Sequence, residues 1–191
     1  MRAVFLDRDG VINENADRGV ISPEQFRFLP RVEQALARLA ASPFKVIVVT
    51  NQSVVGRRRM PGALLQEIHA DMRTQVQTAG GRIDAIYVCT HRPTDGCICR
   101  KPETGLLRRA AADWDLQLEA SYLVGDAITD VQAALAVGCQ PILVSTGRGL
   151  QARAELARQQ IRQYWVAADL ADAVTLILRL ESAAHGASRC A

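Results

Sequence analysis

Two rhythms of apolar residues alternate along the chain. Short runs rich in β-branched residues, A-V-F-L (3–6), K-V-I-V-V-T (45–50), I-D-A-I-Y-V-C (83–89), S-Y-L-V-G (121–125) and P-I-L-V-S (141–145), read as strands. The shorter ones are continuous enough to be buried on both faces. Y-W-V-A (164–167) reads as a sixth strand, at an edge. Between these runs, V-E-Q-A-L-A-R-L-A, A-L-L-Q-E-I-H-A-D-M-R-T-Q-V, G-L-L-R-R-A-A-A-D-W and T-D-V-Q-A-A-L-A-V carry apolar residues at i, i+3, i+4 and read as helices. The result is βαβ repetition. Right-handed crossovers then give an α/β fold, a doubly wound parallel sheet with helices on both faces, and ligands of such sheets bind beyond the carboxyl ends of the strands. No linker, low-complexity stretch or internal repeat interrupts the pattern. One domain over 1–185 is expected, with 186–191 a loose tail.

Composition narrows the partners more than the fold. At 191 residues and 49% hydrophobic, the chain is long enough for one well-buried domain and marginal for two. A net charge of +3, with basic residues scattered apart from Arg57-Arg58-Arg59, gives no nucleic-acid footprint, whereas small anions suit it. The first apolar stretch is too short for a signal peptide, and the apolar carboxyl-terminal segment is broken by Asp172, Arg179 and Glu181. A cytoplasmic protein away from the membrane is therefore expected, a monomer by default. In a reducing compartment five cysteines do not suggest a disulfide framework, which leaves metal binding or burial to explain them.

The strand ends hold the candidate chemistry. The first delivers Asp7-Arg8-Asp9-Gly10, the second Thr50-Asn51-Gln52-Ser53, the third a cysteine-rich loop closing on Arg100-Lys101-Pro102, and the fourth Gly125-Asp126 with Asp130 one turn on. Asp7 and Asp9, two residues apart, can point the same way, and concentrated carboxylates call for a hard cation such as Mg²⁺, a shared proton or solvent. Each piece alone has an ordinary reading: an Asp-Gly turn, a capping Thr-Asn, a solvated lysine, an N-cap aspartate. Four strand ends converging on the parts of one phosphate-and-magnesium site are improbable as coincidence.

The loop Cys89-Thr90-His91-Arg92-Pro93-Thr94-Asp95-Gly96-Cys97-Ile98-Cys99 carries a second signal. Cys89, His91, Cys97 and Cys99, paired as C-x-H and C-x-C, can surround a tetrahedral Zn²⁺ with no open position, which makes that zinc structural. The alternatives are four incidental residues or a redox pair at Cys97 and Cys99, whose C-x-C disulfide would be a strained ring. Cys139 reads as a buried thiol, Cys190 as part of the tail, and His69 as a surface or packing residue.

D-R-D-G, T-N-Q-S, R-K-P and G-D-x-x-x-D, in that order, resemble the haloacid dehalogenase (HAD) superfamily of phosphatases over nearly the whole chain. With the C-x-H-x₅-C-x-C-R-K-P loop they are similar to its heptose-bisphosphate phosphatases, whose nearest relatives are the histidinol-phosphate phosphatases. The resemblance implies an HAD-like Rossmannoid sheet with a zinc-binding loop. Because no long insertion separates Asp9 from Thr50 or Thr50 from Lys101, it implies no large cap domain. It further implies Asp7 as nucleophile forming an aspartyl-phosphate and Asp9 as general acid and base. Mg²⁺ would be bound through Asp7, the Asp9 carbonyl and Asp126. Thr50, Asn51, Gln52, Ser53 and Lys101 would lie around the phosphoryl group, with Arg57 and Arg100 as candidates for a remote anion on a phosphorylated sugar. Asp130 is expected to orient Lys101 or the helix start. Glu14, Asp17 and Glu24, opposed by Arg18, leave the charge of the first loop undecided between sugar bisphosphate and histidinol phosphate.

Overall fold

A computed structural model of the protein describes residues 1–16 and 19–187; Asp17, Arg18 and Cys190, named above, lie outside the described residues. Six strands form one parallel sheet: β1 (Ala3–Leu6), β2 (Lys45–Asn51), β3 (Ala85–Cys89), β4 (Tyr122–Gly125), β5 (Gln140–Val144) and β6 (Trp165–Ala167). Their spatial order is β3-β2-β1-β4-β5-β6, with β6 at an edge as expected. In this order the winding reverses between β1 and β4, and such a switch point opens a crevice beyond the strand ends. Register is set by Phe5, which lies level with Ile47 of β2 and Leu123 of β4.

Alternation along the strands sorts the core into two layers. Val4, Leu6, Val46, Val48 and Val124 face a layer built by α1 (Val32–Ala40), α3 (Gly62–Thr78) and α7 (Leu170–Ala187), with Leu36, Met72 and Ile177 among its contacts. Ala3, Phe5, Ile47, Val49 and Leu123 face the opposite layer of α4 (Gly105–Trp114) and α5 (Ile128–Ala136), through Leu107, Ala110 and Ala133. Helix α6 (Gly149–Arg158) closes the β5 side through Ala152 and Leu156. Between β2 and α3 the chain makes one four-residue turn of helix, α2 (Ser53–Gly56). Among the described residues the connections between strands contain no inserted domain.

The periodicity gave no expectation of α2, α6 or α7. In α6 the buried stripe is only Gly149, Ala152 and Leu156, too few apolar residues to register as a period. In α7 the charged residues that break the apolar run are functional surface: Asp172 holds Arg31, and Glu181 ties Arg2 and the Tyr122 hydroxyl to the helix. That helix continues to Ala187, two residues into the segment expected to be a tail.

Phe5 is fully buried in a central strand with packed layers on either side. Phe5→Ala is expected to cost about 3 to 5 kcal/mol in urea unfolding, the loss of transfer energy plus a cavity the sheet cannot collapse into. A loss below about 1 kcal/mol would contradict this account of the core.

Candidate active site

Asp7 is the first residue past β1. Its N–H donates to Val124 O of β4 at 2.9 Å, so the carboxylate emerges at the switch point. The chain then turns back, with Ile12 N–H on Arg8 O at 2.8 Å and Gly10 N–H on Asn13 O at 2.7 Å. Within this turn Asp9 is held by every neighbour. Arg8 forks onto it through Nη2 at 2.7 Å and Nε at 3.2 Å, Asn13 Nδ2 donates at 2.8 Å, and Gln52 Nε2 donates to its other oxygen at 2.7 Å. Burial alone would raise this carboxyl; the Arg8 charge and the hydrogen bonds from Arg8, Asn13 and Gln52 override it and hold the pKa below the usual carboxylate range.

Lys101 supplies the central cation. Only 3% exposed, it places Nζ 3.0 Å from Asp7 Oδ1, 2.6 Å from Asp130 Oδ1 and 2.8 Å from Val49 O. Burial would discharge the ammonium, but Asp130 and then Asp7 outweigh it and raise its pKa. Asp130 also accepts the Ala127 N–H at 3.0 Å, so both expectations for it hold: it orients Lys101 and caps α5. Asn51 clamps the backbone that carries the lysine, donating to Lys101 O and accepting from Lys101 N–H, each at 3.1 Å. Gln52 is buried and spends its amide on Asp9 and on Thr50 Oγ1 at 2.9 Å, which makes it a brace between the two.

Asp126, at the end of β4, is wedged into the turn after β1. Oδ2 accepts Asn15 Nδ2 and the Arg148 N–H, both at 2.8 Å. Gly10 (φ +84°) and Gly147 (φ +57°) line the same oxygen so closely that a Cβ on either would fall within 2.1 to 2.2 Å of it. Any side chain there would displace the carboxylate. Asp7 is pushed up to about 6 by burial, with Lys101 opposing and Asp130 and Asp9 adding to the rise. Asp126 is likewise pushed up to about 6, by burial and then by Asp7.

Carboxylate oxygens of Asp7, Asp126 and Asp130 lie within 4.8 Å of one another. Set against one ammonium, three carboxylates leave two negative charges, the charge that a divalent cation carries. Asp130 is occupied by Lys101 and the α5 cap, while Asp7 Oδ2 and Asp126 Oδ1 accept no hydrogen bond from the described residues. A hard cation therefore fits against Asp7 and Asp126.

The cysteine loop starts at the end of β3, beside Asn51. Cys89 Sγ lies 3.6 Å from both Cys97 Sγ and His91 Nδ1, Cys97 and Cys99 are 3.6 Å apart, and His91 Nδ1 is 3.2 Å from Cys99 Sγ. Tetrahedral zinc with Zn–S of about 2.3 Å requires sulfur–sulfur edges of about 3.8 Å, close to those separations. All four cysteines among the described residues are free, so Cys97 and Cys99 form no disulfide. Cys139 is buried as expected. Gly96, in the left-handed region, and the Asp95 carboxylate on the Arg92 N–H at 2.8 Å shape the intervening turn.

These groups open into one cavity of about 1160 Å³ that takes in Asp7, Asp9, Thr50, Asn51, Gln52, Ser53, Arg57, Arg100, Lys101 and Asp126. Arg92, Arg148 and Arg158 line it beside Arg57 and Arg100, together with Glu103 and Glu155; Arg158 pairs with Glu155 and Arg92 with Asp95, so arginines outnumber glutamates without forming a purely basic wall. Arg100 Nη1 is buried without a hydrogen-bond partner. Sequence reasoning missed the contacts of Arg8, Asn13, Asn15 and Arg148. His69, expected as a surface or packing residue, is buried on the stripe of α3 with Leu65, Ile68 and Met72, in keeping with packing. Asn15 and Arg148 act on a carboxylate more than 20 residues away in sequence, and no local pattern marks them.

The HAD-hydrolase-like family model matches residues 98–173. The D-glycero-beta-D-manno-heptose-1,7-bisphosphate 7-phosphatase of Bordetella bronchiseptica is 43% identical over 155 residues, 81% of this chain and 87% of that protein. The enzyme of the same name from Escherichia coli is 36% identical over 180 residues, 89% and 90% of the two chains. The crystal structure of the D,D-heptose 1,7-bisphosphate phosphatase from B. bronchiseptica, complexed with magnesium and phosphate, superposes with a TM-score of 0.88 at 40% identity, covering 94% of this chain and 99% of that one. Identity of 36 to 43% sustained over more than four fifths of both chains, together with the superposition over 94% of this one, leads to one conclusion: the chain belongs to the HAD-like phosphatases, in the family that includes the heptose-1,7-bisphosphate 7-phosphatases.

Proposed function

We propose that the protein is a Mg²⁺-dependent phosphatase that hydrolyses the 7-phosphate of D-glycero-D-manno-heptose 1,7-bisphosphate and leaves the 1-phosphate in place. The observation that carries this reading is the buried Asp7–Lys101–Asp130 array beside Asp9 and Asp126, in a chain 43% identical to an enzyme of that name. Asp7 attacks the phosphorus through one carboxylate oxygen; the aspartyl–phosphate bond forms as the bond to the sugar oxygen breaks. Asp9 gives the departing oxygen its proton, then takes one from the water that attacks the phosphorus and frees Asp7. A phosphoryl dianion arriving beside Asp9 raises its proton affinity by like-charge repulsion, so the substrate itself converts the ionised carboxylate into an acid. Lys101 and Thr50 face the transferring oxygens while Asn51 and Gln52 keep Lys101, Thr50 and Asp9 in place. Mg²⁺, held by Asp7, Asp126 and the Asp9 carbonyl, supplies neutralising charge for the phosphoryl oxygens when bound.

Arginines outnumber glutamates in the cavity lining, which favours a bisphosphate over histidinol phosphate, whose amine and imidazole call for acidic partners. Arg57 and Arg100, the latter with a buried nitrogen awaiting an acceptor, suit the second phosphate as guanidinium forks. The cysteine and histidine donors suit a structural Zn²⁺, which would order the loop that delivers Arg100 and Lys101.

Asp7→Asn is expected to lower Mg²⁺-dependent phosphate release by more than about 1,000-fold with the fold intact; retained activity would remove Asp7 as nucleophile. Catalytic efficiency on the heptose bisphosphate should exceed that on histidinol phosphate by at least ~10-fold, about 1.4 kcal/mol, and Arg100→Ala should narrow the gap. Equal efficiency on the two compounds would overturn the substrate and leave the phosphatase standing.

Elemental analysis should find about one tightly held zinc per chain, and Cys97→Ser should lose it, open residues 89–101 to proteolysis and lower activity secondarily. Zinc-free protein with a protected loop and full activity would refute the structural role.

A further inference from the structure

Arg8 is the bulkiest side chain withdrawn completely from solvent. One edge of its guanidinium grips Asp9, and Nη1 points the other way, to His69 Nε2 at 3.1 Å. An arginine nitrogen can only donate, so the imidazole nitrogen opposite must accept, which assigns His69 as the neutral tautomer with its proton on Nδ1. Burial, reinforced by the Arg8 charge and opposed by Asp9, pushes the imidazole down to about 4, in keeping with that tautomer. The neighbours of His69 on the buried stripe of α3 are Leu65, Ile68 and Met72. An apolar residue would fill that space without desolvating a ring; what the imidazole adds is an acceptor at the outer end of Arg8.

We propose that His69 is a positioning residue for proton transfer: by accepting from Arg8 it fixes the plane of the guanidinium, and the guanidinium fixes the Asp9 carboxylate that exchanges the proton. The inference rests on the reading of Asp9 as acid and base. A sugar alkoxide needs a proton as its bond to phosphorus breaks, whereas p-nitrophenolate leaves without one. A misplaced Asp9 should therefore lower kcat/KM, which reports the steps through aspartyl-phosphate formation, selectively on the first substrate, whereas its work as base on the attacking water is common to both.

The experiment measures kcat and KM of His69→Met, His69→Gln, Arg8→Lys and Asp9→Asn on the heptose bisphosphate and on p-nitrophenyl phosphate. His69→Met should lose at least ~10-fold in kcat/KM on the sugar and less than about three-fold in kcat/KM on the aryl ester, whatever the change in the kcat of the shared dephosphorylation step. Gln, which offers an oxygen near the position of Nε2, should recover most of the loss, and Arg8→Lys should reproduce the selective defect. Uniform loss of kcat/KM on both substrates, or none, overturns the proposal. Should His69→Met fail to show cooperative unfolding, Arg8→Lys decides on the same criterion. If Asp9→Asn is selective and His69→Met is not, only the role of His69 falls; if Asp9→Asn is itself unselective, the acid role of Asp9 falls and takes this inference with it.

Discussion

A single ammonium ion holds the site together. Lys101 is nearly without solvent, and in a medium less polarisable than water its charge is tolerable only because Asp7 and Asp130 close on it from two sides. The dependence is mutual: without Lys101, two buried carboxylates would face each other with nothing between them, and Asp7 would lose the partner that limits the rise in its pKa. Because Asp7 follows β1, Asp130 opens α5 and Lys101 ends the cysteine loop, this one triad also fastens three segments of the chain at the mouth of the sheet. A buried pair of this kind adds little net stability. Its effect is to fix where the Asp7 carboxylate stands.

The fold was legible because its signals are local. Strand runs of four to seven residues and helices with a clear apolar stripe were matched nearly to the residue, as in Val32–Ala40 and Gly105–Trp114. What escaped was α6, whose stripe is thin, and α7, whose charges looked like interruptions until Glu181 was seen to hold Arg2 and Tyr122. The site divides in the same way. Asp7 and Asp126, which directly follow a strand, and Thr50, at the end of one, could be placed at the mouth of the sheet from position alone, and the spacing of Cys89, His91, Cys97 and Cys99 is a short-range pattern. Asn15, Arg148 and His69 act across the fold, on partners set by how β1, β4 and α3 come together, and a single sequence holds no trace of that pairing.

Around the two carboxylates of the first loop the protein has built opposite environments. Asp7 is buried with acidic neighbours and one shared cation, so its charge is strained; Asp9 is enclosed by donors, so its charge is comfortable. Two identical side chains two residues apart thereby acquire different chemistry. The turn after β1 makes this possible: Arg8, between them, is buried beneath it and closes its guanidinium onto Asp9.

The cradle of Asp126 draws on Gly10 and Asn15 from the start of the chain and on Gly147 and Arg148 from far along it. During synthesis Asp7 leaves the ribosome some 140 residues before the last part of this cradle, and parallel pairing of such distant segments is intrinsically slow. An amino-terminal fragment that stops short of Asp126 holds Asp7 alone of the carboxylate cluster. The mutual repulsion of these buried carboxylates therefore arises in a nascent chain only once β4 and the start of α5 have been made.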